Sequence, residues 1–209
     1  RGLGIACGVH FTGVRLSRGI DADFAGATMV VNDDGSVNLA TSCVDIGSGS
    51  STALTQIAAE TLGIEMEKIN TIFGDTETCP MGWGSRASRN TAIGGMAVKK
   101  AAEDARAQIL KAAGEKMEVH PDDLGIRNST VFVKSAPSRS MSVADVVRFN
   151  RYRKNGQAVM AKAHWDAPST LADKVTGRGN FSMAFSFGAK AMEVEVDPDT
   201  GKVEVLKVA

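Results

Sequence analysis

Twice in 209 residues a glycine- and serine-rich loop opens directly into a helix, and this arrangement constrains the fold more than any other feature of the chain. In the first case the strand-like run 37–42 leads through Asp45-Ile46-Gly47-Ser48-Gly49 to a change of period. Leu54, Ile57, Ala58 and Leu62 then fall at helical spacing, and Gly63 stands where a helix stops. In the second case Gly82-Trp83-Gly84-Ser85-Arg86-Ala87-Ser88-Arg89-Asn90 precedes a longer helix with the stripe Ile93, Met96, Ala97, Ala101, Ala105 and Ile109. The alanines make that stripe narrow, so the helix can pack closely, and Gly114 is expected to end it. Both stripes need a surface to cover them. The expected fold is therefore α/β or α+β, with helices starting near Ser50 and Thr91 packed on a mixed sheet, their N-termini aimed at a common side.

The strands come from the rest of the chain. Residues 3–11 and 25–31 are rich in β-branched and apolar types, and Asn32-Asp33-Asp34-Gly35 supplies a hairpin turn before 37–42. Residues 68–73 read as a further strand and 74–90 as a loop. Downstream, 121–124 is a short turn and 129–134 a strand. Ser142-Val143-Ala144-Asp145 is the capped start of a helix ending near Arg148. The stretch 152–179 is polar and weakly periodic, an irregular connection or strands without an assignable place, and a subdivision of the chain falls near 150–180. At the end, Asp197-Pro198-Asp199-Thr200-Gly201 joins 191–196 to 203–205 in a hairpin.

Composition narrows the function. Lysines plus arginines and aspartates plus glutamates both number 24, so no net charge favours nucleic acid. No apolar run reaches the roughly 18 residues a membrane span needs, and no signal peptide is evident, so the expected setting is the cytoplasm. Cys7, Cys43 and Cys79 fit neither a disulfide framework nor a metal site, and His10, His120 and His164 stand singly. Asp75 and Glu77 lie beside Thr76 and Thr78 in what reads as turn structure.

Chemistry then rests on the two loops. Gly47, Ser48, Gly49, Ser50, Ser51 and Thr52 sit before a helix, where glycines admit a ligand to the backbone and first-turn N–H groups attract an anion. No Gly-Lys-Ser/Thr ending makes it a Walker loop, and taken alone it reads better as an N-capped helix with Ser51 or Thr52 as cap. In the second loop Arg86 and Arg89 bring two cations suited to a phosphate, while Ser85, Ser88 and Asn90 can bond a heterocycle or capping groups; alone it is equally a solvated loop with an Asn or Ser cap. Together the loops suit an elongated ligand with a phosphate and a base.

The order Asp45-Ile46-Gly47-Ser48-Gly49, Thr52, Gln56-Ile57-Ala58-Ala59-Glu60, Leu62-Gly63-Ile64, Gly74-Asp75-Thr76, Pro80, Gly84-Ser85-Arg86-Ala87-Ser88-Arg89 and Gly95-Met96-Ala97-Val98 resembles the large subunit of the xanthine dehydrogenase and aldehyde oxidoreductase family. So do residues 177–180, Phe185-Ser186-Phe187-Gly188-Ala189 and the run from Glu193 to Gly201. The resemblance covers nearly the whole chain, and its motifs are specific in combination. It implies that residues 1–209 are part of a molybdopterin-binding domain, an internal fragment or split subunit. It also implies a molybdopterin cofactor, often the cytosine dinucleotide, contacted by Gly47, Ser48, Gly49, Ser50, Ser51, Thr52, Gly84, Ser85, Ala87, Ser88, Arg89 and Asn90, with Arg89 as the expected phosphate-reading fork and Arg86 a merely exposed charge. Ser48 departs from the glutamine that many members carry between the two glycines.

In the family a glutamate base assists hydroxylation of an aldehyde, N-heterocycle or aromatic substrate with oxygen from water, and electrons leave through iron–sulfur clusters and FAD. That glutamate lies in a Gly-x-Gly-Glu-like segment not present here, and a Gly-Gly-Phe-Gly loop is also not present. No catalytic residue is thus assigned within the chain. The implied partners are the remaining large-subunit segments and the iron–sulfur and FAD subunits, and the isolated chain is expected to be inactive. Two other readings stand beside this one: an aryl-CoA reductase subunit of the hydroxybenzoyl-CoA reductase kind, and a binding module derived from the family without chemistry.

Overall fold

The computed structural model describes residues 1–15, 20–153 and 156–209. In chain order the strands are β1 (Gly2–Phe11), β2 (Phe24–Val31), β3 (Val37–Thr41) and β4 (Ile69–Ile72), then β5 (Leu124–Arg127), β6 (Thr130–Val133), β7 (Ala136–Ser142), β8 (Val159–Asp166), β9 (Phe185–Val196) and β10 (Val203–Val208). The helices are α1 (Ser50–Leu62), α2 (Gly95–Met117) and α3 (Val143–Arg153).

The central sheet runs β4-β3-β2-β8, with β3 and β4 parallel and the other pairs antiparallel, so it is mixed as expected. Ala25, Ala27, Met29 and Val31 of β2 and Val37 and Leu39 of β3 alternate into one core with Leu54, Ala58 and Leu62 of α1. From α2, Ala97, Ala101, Ala105 and Ile109 join the same core. The two helices pack against each other and against this sheet, α2 chiefly over β8 and β2, α1 over β4.

Several elements differ from the expectation. Gly114 does not end α2, which continues to Met117 and closes on Glu118 in a left-handed conformation, φ 51°. Gly114 is buried within the helix because the chain reverses over it: a Cβ there would press on the Val119 carbonyl and the Pro121 ring. Helix α3 runs to Arg153 rather than Arg148, opened by Ser142, whose hydroxyl donates to Asp145 Oδ2 and accepts from the Asp145 N–H. The unplaced stretch 152–179 contains β8, a strand of the central sheet; Lys154 and Asn155 of that stretch lie outside the described residues.

Two smaller sheets flank the core: β5-β6-β7, and β1-β9-β10 built from opposite ends of the chain. Nearly all of β1, β9 and β10 is exposed, including Leu3, Ile5 and Phe187. Among the described residues, no helix is long and apolar enough to cross a membrane.

Candidate functional site

The N-terminus of α1 and the turn that leads into α2 open on one cleft of about 450 Å³, within the usual range for a small-molecule site. Ile46, Ser48, Ser50 and Ala53 line it from the first loop, and residues 85–91 line it from the second. The loops are stitched together at Val44. Its N–H donates to Ser85 Oγ (2.8 Å), its carbonyl accepts from the Ser85 hydroxyl and from Asn90 Nδ2 (3.3 Å), and Asn90 Nδ2 also reaches Ser85 Oγ (2.7 Å).

Of the residues expected to contact a ligand, Ser48, Ser50, Ser85, Ala87, Ser88, Arg89 and Asn90 line the cleft, whereas Gly47, Gly49, Ser51, Thr52 and Gly84 lie beside it. The first loop already holds an anion of its own. Asp45 Oδ1 accepts from the N–H groups of Gly47 (2.9 Å) and Gly49 (3.2 Å), and Oδ2 accepts from the Ser51 N–H (3.0 Å) and hydroxyl (2.9 Å). The cap of α1 is thus the Asp45 carboxylate, six residues upstream of the donor, in place of the expected Ser51 or Thr52. The Ser51 N–H and hydroxyl, with the two glycine N–H groups, hold that carboxyl below its usual value.

In the second loop the two arginines differ in placement from the expectation. Arg89 is buried, 1% exposed: Nε meets Asp23 Oδ1 at 3.0 Å, Nη1 donates to the Gly84 carbonyl (3.1 Å) and Nη2 to the Phe24 carbonyl (2.6 Å). A guanidinium spent on three inward acceptors is not a free fork for phosphate. Arg86 is the exposed cation on the cleft, and no described carboxylate pairs with it. Sequence could not separate the two, since the difference lies in Asp23, distant in the chain.

Local backbone adds donors. Ala87 (φ 47°) and Ser88 (φ 52°) are consecutive left-handed residues with side chains, an uncommon conformation. Residues 90–94 then form a π turn ahead of α2, with Gly94 N–H reaching the Arg89 carbonyl. Such turns recur at functional sites. No described residue accepts from the N–H groups of Ala87, Ser88, Asn90 or Thr91. Asn90 Oδ1 is a buried acceptor without a partner among the described residues.

Side-chain packing on either side of the turn anchors it to the central sheet. Gly94 packs on Cys43, whose thiol is pushed up by burial against the opposing pull of the Arg89 charge. Trp83 anchors the loop by donating from Nε1 to the Ala22 carbonyl (3.1 Å) and meeting Phe24 edge-on. Among the described residues no group of three or more His, Cys, Asp or Glu side chains converges to hold a metal directly.

A family model described as a molybdopterin cofactor-binding domain matches residues 1–209. The chain is 33% identical to the 6-hydroxypseudooxynicotine dehydrogenase complex subunit gamma of Paenarthrobacter nicotinovorans, over 99% of the chain and 24% of that protein. It is 31% identical to a probable xanthine dehydrogenase subunit of Bacillus subtilis, over 99% of the chain and 26% of that protein. Among solved structures, quinoline 2-oxidoreductase from Pseudomonas putida 86 superposes with a TM-score of 0.82 at 25% identity, over 99% of this chain and 26% of that one. Reconstituted CO dehydrogenase from Oligotropha carboxidovorans gives 0.82 at 26%, over 99% and 25%. The chain thus spans about a quarter of the length of the relatives it matches.

Proposed function

The chain belongs to the molybdopterin cofactor-binding family of xanthine dehydrogenase-like large subunits, and from that premise we propose that its cleft holds the phosphate-bearing part of the cofactor. The observation that carries this reading is the meeting of both glycine–serine loops at one cleft. A pterin with a phosphate, or its cytosine dinucleotide, needs anion-attracting donors, hydroxyls and amides along an open wall. The residues present fit that need: the N–H groups of Ala87, Ser88, Asn90 and Thr91 and Asn90 Oδ1, none of which has a partner among the described residues, and the exposed Arg86.

When bound, the cofactor supplies the redox chemistry; this chain binds and orients it. The N–H groups of Ser88, Asn90 and Thr91 face anionic oxygens with the help of the helix dipole, and Arg86 adds charge. The hydroxyls of Ser48 and Ser88 are placed to bond a heterocycle, while Ser85, engaged by Val44 and Asn90, fastens the two loops together. Asp45 keeps the first loop in shape, so Gly47, Gly49 and Ser51 serve the cleft through its backbone. Arg89 acts from behind the wall.

In this proposal residues 1–209 are part of the molybdopterin-binding domain of a larger cytoplasmic oxidoreductase. It hydroxylates an aldehyde, N-heterocycle or aromatic substrate with oxygen from water and passes electrons to iron–sulfur and FAD partners. The glutamate base would come from other segments of the large subunit.

The test is Arg86→Ala in the full-length subunit purified as its complex. A charge-assisted bond to phosphate contributes about 1.5 kcal/mol, roughly tenfold in retention. Molybdenum and released nucleotide should fall together under dilution, with thermal stability unchanged because an exposed arginine contributes little. Full retention of both would contradict the proposal.

A further inference from the structure

We propose that Asp23, acting through Arg89, is a positioning residue for the cofactor: the buried pair holds the left-handed Ala87-Ser88 turn that forms one wall of the cleft. The inference rests on the cofactor-binding reading above and deepens it. Residues with a Cβ populate φ values of 47° and 52° only where their surroundings impose them. The surroundings of this turn lead back to one carboxylate.

Asp23 is 1% exposed and grips both sides of the turn. On one side its Oδ1 takes the Arg89 Nε–H at 3.0 Å, and Arg89 follows Ser88 directly. The same guanidinium reaches the Gly84 carbonyl (3.1 Å) and the Phe24 carbonyl (2.6 Å), so it spans the loop from its start to its end and ties both to β2. On the other side Asp23 Oδ2 accepts from the Val14 N–H at 2.8 Å, and the neighbouring Gly13 N–H donates to the Ala87 carbonyl at 2.9 Å. Gly13 stands at φ 110°, and a Cβ there would overlap Asp23 Oδ2, so the segment approaches this closely only as glycine. Asp23 is itself fixed, since its N–H donates to Asp166 Oδ1 at 2.7 Å and Asp166 pairs with Arg15 at 2.9 Å.

A buried ion pair is weak support for stability, because an apolar pair of similar volume often replaces it without loss. What an apolar pair cannot do is direct three carbonyl and carboxylate acceptors onto one planar group. The geometry therefore assigns the pair to the shape of the turn.

The experiment uses the full-length subunit in its complex, reading molybdenum per subunit, released nucleotide and melting temperature. The double variant Asp23→Asn with Arg89→Met removes both charges together, so neither is left buried alone. It should assemble, yet lose at least about fivefold of its molybdenum and nucleotide. Adding Ala87→Gly, which adopts the left-handed conformation freely and leaves the Ser88 hydroxyl in place, should restore part of that loss without raising the melting temperature. Recovery of cofactor without recovery of stability is a result that a merely structural pair would not give. Gly13→Ala, which keeps both charges but displaces Asp23, should deplete the cofactor in the same way and decides the matter if the double variant fails to assemble.

Wild-type content in the double variant or in Gly13→Ala, with Arg86→Ala depleted, overturns this inference alone. So does a depletion that Ala87→Gly leaves unchanged. Full content in Arg86→Ala as well would overturn the cleft reading and this inference with it.

Discussion

At the scale of single residues, the site turns on where two carboxylates lie. Asp45 satisfies the first helix and Asp23 engages the arginine that sequence spacing offers to a ligand. Both loops could be found in the sequence because glycine and serine before a helical period mark a helix start. Which arginine is exposed on the cleft could not, since Arg86 and Arg89 have the same local surroundings and differ in a tertiary partner. Asp45 gives a pH test with a definite sign. Its folded carboxyl lies below the usual 3.8, so its stabilisation is complete above that value and is lost as pH falls through the depressed one. Asp45→Ala should therefore melt below the wild type at about pH 7, and the gap should close in acid as the wild-type carboxyl protonates. A gap that persists unchanged there would mean that the cap is not electrostatic.

Among elements, what the sequence concealed follows from how closely they pack. Strand β8 points Val159, Ala161 and Ala163 inward, and two small residues of low strand propensity hide its alternation. They are small because α2 lies over them with its own alanines. The alanine stripe of the helix was thus legible, while its counterpart in the sheet was not. The π turn was equally hidden, since it depends on the approach of Gly94 to Cys43. A Cβ at position 94 would overlap Cys43 Sγ, so Gly94→Ala should destabilise the domain by about 1–3 kcal/mol. Cys43→Ala in the same background should recover most of it. Denaturant titration of the single and double variants reads this directly, and additive losses would show that the contact is not the cause.

For the whole molecule, the contrast lies between a sheet that carries the core and one that carries almost none. Strands β2 and β3 bury their inward side chains fully, whereas in β1, β9 and β10 apolar residues such as Leu3 (74%), Ile5 (71%) and Phe187 (82%) remain exposed. Both ends of the chain were readable as strands, but their pairing across the full length was not, because pairing is a non-local choice. Amides of β1, β9 and β10 should exchange with solvent well before those of β2, β3 and α2 in the isolated chain, as few buried contacts oppose their opening. Equal protection in the two sheets would contradict this division. The central claim concerns the cleft between the loops, and the most direct measurement is a structure of the intact complex with its cofactor. Cofactor phosphate oxygens should lie within about 2.7–3.2 Å of backbone nitrogens in the turn 87–91, beside Arg86. Cofactor density elsewhere, with this cleft filled by water or polypeptide, would contradict it.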